Sequence, residues 1–165
     1  GTPFAQVATA ANPGIKVTSN KLGGAYTFPM GLKIGLIWDK SKVVYVQATG
    51  AEVHRTTWAL PVSYRTGAHN VAFTYAKAGD VGGTAGPGVG ANTGASMWML
   101  GYQYDLSKRT SVGLSYTAIN NRTAAVYDFW HGANNVSGLA GGANSSLAVA
   151  GSDPRKFAMT VRHAF

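Results

Sequence analysis

Residues 98–106 read Trp98-Met99-Leu100-Gly101-Tyr102-Gln103-Tyr104-Asp105-Leu106, and this stretch decides the fold class. Every second residue is apolar or aromatic (Trp98, Leu100, Tyr102, Tyr104, Leu106), and between them stand Met99, Gly101, Gln103 and Asp105. A strand turns successive side chains to opposite faces, so a period of two separates these sets onto two faces. A helical period of 3.6 fits neither. The alternation continues outward in both directions. Val112, Leu114, Tyr116 and Ala118 alternate with Ser111, Gly113, Ser115 and Thr117; Phe157, Met159, Val161, His163 and Phe165 alternate with Lys156, Ala158, Thr160, Arg162 and Ala164. Upstream the apolar sets are Leu22, Gly24, Tyr26, Phe28; Leu32, Ile34, Leu36, Trp38; Trp58, Leu60, Val62, Tyr64; and Val71, Phe73, Tyr75. The pattern predicts strands over about 20–28, 32–39, 54–65, 70–78, 96–106, 110–119 and 156–165. A weaker alternation at Phe4–Ala10 marks an eighth.

The connections alternate too. Pro29-Met30-Gly31, Thr66–His69 and Leu106–Arg109 are short, whereas 40–53, 79–95 and 120–155 read as long loops. Trimmed turns on one side and excursions on the other indicate an up-and-down meander, the asymmetry of transmembrane β-barrels. Greek-key sandwiches do not keep it.

Composition narrows the function. The 165 residues include 22 Gly, against about 12 at average usage, and no Cys. Charged residues make up 12%, half the usual ~25%, yet the net charge is +8. Apolar runs such as Leu36-Ile37-Trp38 are far too short for a membrane helix. Without Cys there is no disulfide framework, thiolate zinc site or cysteine nucleophile. His54, His69, His131 and His163 lack metal-ligand spacing, so no metal is expected. The glycine run Gly82–Gly90 is not followed by a helix opening Gly-Lys-Ser/Thr, and it fails as a phosphate loop. Ser137, Ser145 and Ser146 come with no nucleophile elbow or base. Neither an enzyme nor a cofactor is expected. Basic residues stand singly and on the face opposite the aromatics, which is wrong for nucleic acid.

The two faces point to lipid and water. One carries Trp38, Trp58, Trp98, Tyr102 and Tyr116, aromatics suited to a membrane interface. The other carries Gly23, Gly35, Gly101, Gly113, Thr27, Ser63, Ser111, Ser115, Thr117 and Thr160, which cannot build a packed core. Lys21, Lys33, Arg55, Arg65, Lys156 and Arg162 fall in phase with this second set. Facing lipid, each would cost on the order of 2–4 kcal/mol near the midplane; facing a water-filled lumen, they cost little. With Asp39 and Asp105 as the main acids of the strands, the lumen wall is expected to be net positive and to favour anions.

Trp98–Thr110 (WMLGYQYDLSKRT) resembles the late hairpin of general porins from betaproteobacteria, in which a leucine-glycine-tyrosine strand enters an LSKRT turn. Asn20–Phe28 and Trp58–Tyr64 are similar to earlier strands of that family, and Phe157–Phe165 to its terminal strand. The resemblance covers most of the chain from Lys21. It implies a trimeric, sixteen-stranded outer-membrane barrel of a Gram-negative bacterium, passing small hydrophilic solutes by diffusion. It also implies that Phe165 is the C-terminal signal for barrel assembly. On this reading residues 1–165 are the C-terminal half of one barrel, lacking the early strands and the long third loop, and its partners are the N-terminal half, outer-membrane lipid and small anionic or neutral solutes. The alternative expectation is a closed eight-stranded outer-membrane barrel acting as an anchor or surface-interaction module.

Overall fold

The computed structural model describes residues 15–45, 51–84, 89–129 and 149–165. Phe4–Ala10 and His131 lie outside them. Eight strands form one sheet: β1 (Ile15–Thr27), β2 (Leu32–Tyr45), β3 (Glu52–Thr66), β4 (His69–Ala78), β5 (Gly82–Gly83), β6 (Ala95–Asp105), β7 (Thr110–Asn121) and β8 (Arg155–His163). The order is β1-β2-β3-β4-β6-β7-β8, every pair antiparallel, with the two-residue β5 laid against β3. Chain neighbours are sheet neighbours throughout, so the fold is a meander. No helix occurs among the described residues.

The short connections share one end of the sheet. In the first, the Gly31 amide donates to the Phe28 carbonyl at 3.0 Å, and Gly31 has φ +87°. Its carbonyl accepts from the Arg65 amide at 3.0 Å, latching this turn onto β3. In the third, the Ser107 hydroxyl accepts from the amides of Arg109 and Thr110 at 3.1 and 3.0 Å. Gly31 tolerates no side chain, because a Cβ would run into the Arg65 carbonyl oxygen. Gly31→Ala should therefore destabilise the fold by about 1–2 kcal/mol, the left-handed penalty, plus the loss of the latch. Gly67, at φ +55° in open space, should accept Asn at a few tenths of that. Urea midpoints of the two variants in lipid check the contrast, and equal midpoints would refute it.

The strands run past the alternating segments. β1, β2 and β3 are 13, 14 and 15 residues long, more than the roughly 9–11 that a tilted strand needs to cross a bilayer. The expected loop 40–53 is shorter than its sequence reads, since Lys40–Tyr45 belong to β2 and Glu52–Val53 to β3. Likewise β7 runs to Asn121, and β5 lies within 79–95. The polar residues at these ends hid the strands, because alternation fades where both faces meet water.

Neither face is covered by a second layer of secondary structure among the described residues. Leu100 and Leu114, each flanked by strands on both sides, are 49% and 44% exposed. The buried apolar residues among those described are Val81, Ala95, Ala118, Ile119 and Ala125, gathered at the loop end. The sheet is open, with β1 and β8 at its edges.

Candidate channel wall

Register fixes which side chains share a face, because residues directly opposite in paired strands point the same way. Lys21 stands opposite Asp39, Lys33 opposite Thr27 and Ser63, and Arg55 opposite Ser41. Arg65 stands opposite Asn70, Lys156 opposite Thr117, and Arg162 opposite Ser111. Tracing these pairs across the sheet brings all six basic residues onto one face, with Asp39 and Asp105 as its strand acids. Trp38, Trp58, Trp98, Tyr102 and Tyr116 lie on the other face. Trp58 packs on Tyr75 with ring centroids 5.4 Å apart, and Trp98 on Tyr116 at 5.3 Å. Phe165 lies beyond β8 at the turn end, fully exposed.

Toward the turn end, the basic face holds a recess of about 340 Å³ lined by Arg65, Asp105, Lys108, Arg109 and Arg162. Arg65 Nη2 donates to Asp105 Oδ2 at 2.5 Å, and Gln103 Nε2 donates to Asp105 Oδ1 at 2.9 Å. One carboxylate thus stands among four cations. An adjoining recess of about 210 Å³ has Gly101 and Gly113 in its lining. Toward the loop end, the Arg55 guanidinium lies 5.1 Å from the centroid of the Tyr127 ring. Asp39, on the same face, accepts from the hydroxyls of Ser19 and Ser41 at 2.6 and 2.5 Å.

Between these two groups the wall is not polar. Gly23, Ile37, Ala59, Ala76, Met97 and Ile119 stand opposite one another in a row across six strands. Sequence alternation assigned this face to small and polar residues; the row corrects that. Residues 122–129, which follow β7, lie over part of this apolar surface. Tyr127 and Asp128 roof a recess of about 340 Å³ above Ile37, Ala59, Ala76, Met97 and Ile119. The Asn121 side chain holds the segment in place: its Oδ1 accepts from the Tyr127 amide at 3.0 Å and its Nδ2 donates to the Tyr127 carbonyl at 2.9 Å. Burial pushes the Tyr127 phenol above its ordinary pKa, against the pull of Arg55.

Residues 4–124 match the family described as Gram-negative porin. The chain belongs to that family. In structure it is similar to the anion-selective porin from Comamonas acidovorans, with a TM-score of 0.68 and 21% sequence identity. The match covers 92% of this chain and 40% of that one, so this chain spans less than half the length of the porin it resembles. At that identity the likeness is one of fold. No curated protein sequence matches.

The porin wall is tied together at its loop end by residues that alternation did not single out. Asp80 Oδ1 accepts from the Gly94 amide at 2.7 Å, and Asp80 Oδ2 from Arg122 Nη1 at 2.9 Å. The Arg122 amide donates to the Gly94 carbonyl and the Ala124 amide to the Asn92 carbonyl, at 3.1 and 2.9 Å. These bonds join the connection after β4 to the inward segment after β7. Tyr127 was missed because loops carry no period; the signal was the aromatic cluster Tyr127-Asp128-Phe129-Trp130 in a connection otherwise rich in Ala, Gly, Asn and Ser.

The Gly94 amide, helped by Arg122, holds the Asp80 carboxyl below its ordinary value of 3.8. Because the folded value is depressed, this tie is fully present above 3.8 and is lost as the pH falls through the lowered value. At pH 4.5 the Gly94 amide, which donates to Asp80, should exchange with solvent slowly in the wild type and faster in Asp80→Ala. Hydrogen exchange read by NMR checks this, and equal rates would show that the carboxylate does not hold the loop.

Proposed function

We propose that this chain forms part of the wall of a water-filled outer-membrane channel through which small hydrophilic solutes diffuse, anions preferred over cations. The observation that carries the reading is the shared face of Lys21, Lys33, Arg55, Arg65, Lys156 and Arg162, set against the strand acids Asp39 and Asp105. These residues line the lumen, where their field raises the local anion concentration. The Comamonas relative is by name anion-selective, which accords with that sign.

Further strands complete the barrel. The open edges of β1 and β8 would leave N–H and C=O groups unpaired in lipid, which supplies no partner for them. A closed eight-stranded barrel is disfavoured because those two strands are not paired with each other. The full channel is a homotrimer of sixteen-stranded barrels, with the remaining strands supplied by the N-terminal half. Trp38, Trp58, Trp98, Tyr102 and Tyr116 sit at or near the headgroup levels. The channel carries out no chemical step and needs no cofactor.

Planar-bilayer recording of the assembled channel in a KCl gradient tests the proposal. Stepwise ohmic conductance with a reversal potential of the anion sign is expected. Absence of steps would reject the channel; a cation sign would reject the selectivity.

A further inference from the structure

Not all the basic residues of the strands face the lumen. Lys16 on β1, Lys40 and Lys42 on β2, Lys77 on β4 and Arg155 on β8 are in register with the outward aromatic set: Lys16 opposite Val44, Lys77 opposite Trp58, Arg155 opposite Ala118. All five lie in the loop-end half of the sheet. The outward positions of the turn-end half, among them Tyr26, Tyr64, Thr66, His69, Tyr104 and Thr110, include no Lys or Arg among the described residues. A sheet meeting identical surroundings at both ends has no reason for such a bias.

Two of the five have structural work. Lys42 pairs with Glu52, and Arg155 Nη1 donates to the Ile119 carbonyl at 2.6 Å. Lys16, Lys40 and Lys77 are exposed and have no hydrogen-bond or ion-pair partner among the described residues. Two of them flank an aromatic pair. Trp38 stands opposite Trp58, Lys77 stands opposite Trp58 on the other side, and Lys40 is the next outward residue after Trp38. Strand spacing and rise place the Lys40 and Lys77 Cα atoms about 12 Å apart, within reach of one headgroup for two long side chains.

We infer that Lys40 and Lys77, with the Trp38–Trp58 pair between them, form a binding site for the phosphate of an anionic lipid headgroup in the leaflet on the loop side. The indole rings pack on the upper acyl chain and glycerol region, where amphipathic aromatics settle. The ammonium groups extend past the apolar band and make charge-assisted hydrogen bonds to phosphate oxygens. Lys16, on the neighbouring strand, extends the positive strip. The inference rests on the outward face meeting lipid; it does not depend on which solute the lumen passes.

The test reconstitutes the full chain with two lipids of identical brominated acyl chains, phosphatidic acid and zwitterionic phosphatidylcholine, and reads quenching of tryptophan fluorescence. Each lysine near an anionic surface is worth about a fivefold preference. Phosphatidic acid should therefore displace phosphatidylcholine with a tenfold or greater preference. Lys40→Gln combined with Lys77→Gln should bring the two lipids close to parity, while Lys33→Gln on the lumen face should leave the preference unchanged. Equal quenching by both lipids in the wild type, or an unchanged preference in the double variant, would overturn the site. Loss of the preference on adding inorganic phosphate in tenfold excess would assign the site to the free anion and also overturn it. No quenching by either lipid would instead refute the lipid-facing reading itself.

Discussion

Leu114→Arg should lower stability in a bilayer by about 2–4 kcal/mol, and Ser115→Arg, one residue further on, by less than about 0.5 kcal/mol. The two positions sit on the same strand with opposite outlooks. Leu114 stands between Tyr102 and Met159 on the aromatic face, in the band between the tyrosines of the turn end and the tryptophans of the loop end. An arginine there must either strip its hydration or drag water into the hydrocarbon. Ser115 stands between Gly101 and Ala158, beside the glycine-lined recess, where an arginine has room and stays wet. Urea titration of the folded fraction in phosphatidylcholine vesicles, read by the change in electrophoretic mobility on folding, measures both. A larger cost at Ser115 than at Leu114 would invert the faces and with them the placing of every wall cation. Equal large costs would indicate packing on both sides, as in a sandwich.

The contrast between these positions also explains why the fold was legible. Lipid on one side and water on the other impose a period of two on every residue of a spanning strand, and Trp98–Leu106 carries it in full view. Antiparallel all-β architecture follows from repeating that reading along the chain. The rule fails where its cause is absent. From Lys40 to Tyr45, both faces project beyond the apolar band, and the sequence looks like a loop although the ladder with β1 continues to the pair of Ile15 and Tyr45. Leu36-Ile37-Trp38 is apolar in both phases, so alternation located the outward Leu36 and Trp38 and passed over Ile37, part of the apolar row on the inner wall. Met97 and Ile119 were passed over in the same way. Tyr127 was beyond the reach of alternation, and only its aromatic cluster marked it, since its position depends on the Asn121 side chain and on backbone bonds between two connections rather than on any repeat. Alternation set the basic residues opposite the aromatics, and register corrects this for Lys16, Lys40, Lys42, Lys77 and Arg155, which stand at or beyond the ends of the expected strands; partnering then separates Lys42 and Arg155 from Lys40 and Lys77.

Neutralising Arg65 and Arg162 together should shift the reversal potential of the assembled channel toward cations, and Asp105→Asn alone should shift it the other way. These residues share one recess at the turn end, so their charges act on the same volume. A unit charge about 6–8 Å from an ion in water contributes roughly 0.5–0.7 kcal/mol, equivalent to a two- to threefold change in local concentration. Two such charges give about a four- to tenfold change in local anion concentration and the inverse change for cations, about a 16- to 100-fold change in their ratio at low salt. Each single substitution removes one unit of positive charge from that recess, so Arg65→Gln and Arg162→Gln should shift the potential comparably even though Arg65 is paired with Asp105. Salt sets the window: the Debye length is about 10 Å at 0.1 M and about 3 Å at 1 M, so the differences among these variants should be resolved in dilute KCl and largely collapse in 1 M KCl. Reversal potentials that do not move in dilute KCl would place selectivity in the part of the barrel this chain does not supply. A shift that persists undiminished at 1 M would mean that the variants had reshaped the wall rather than altered its field.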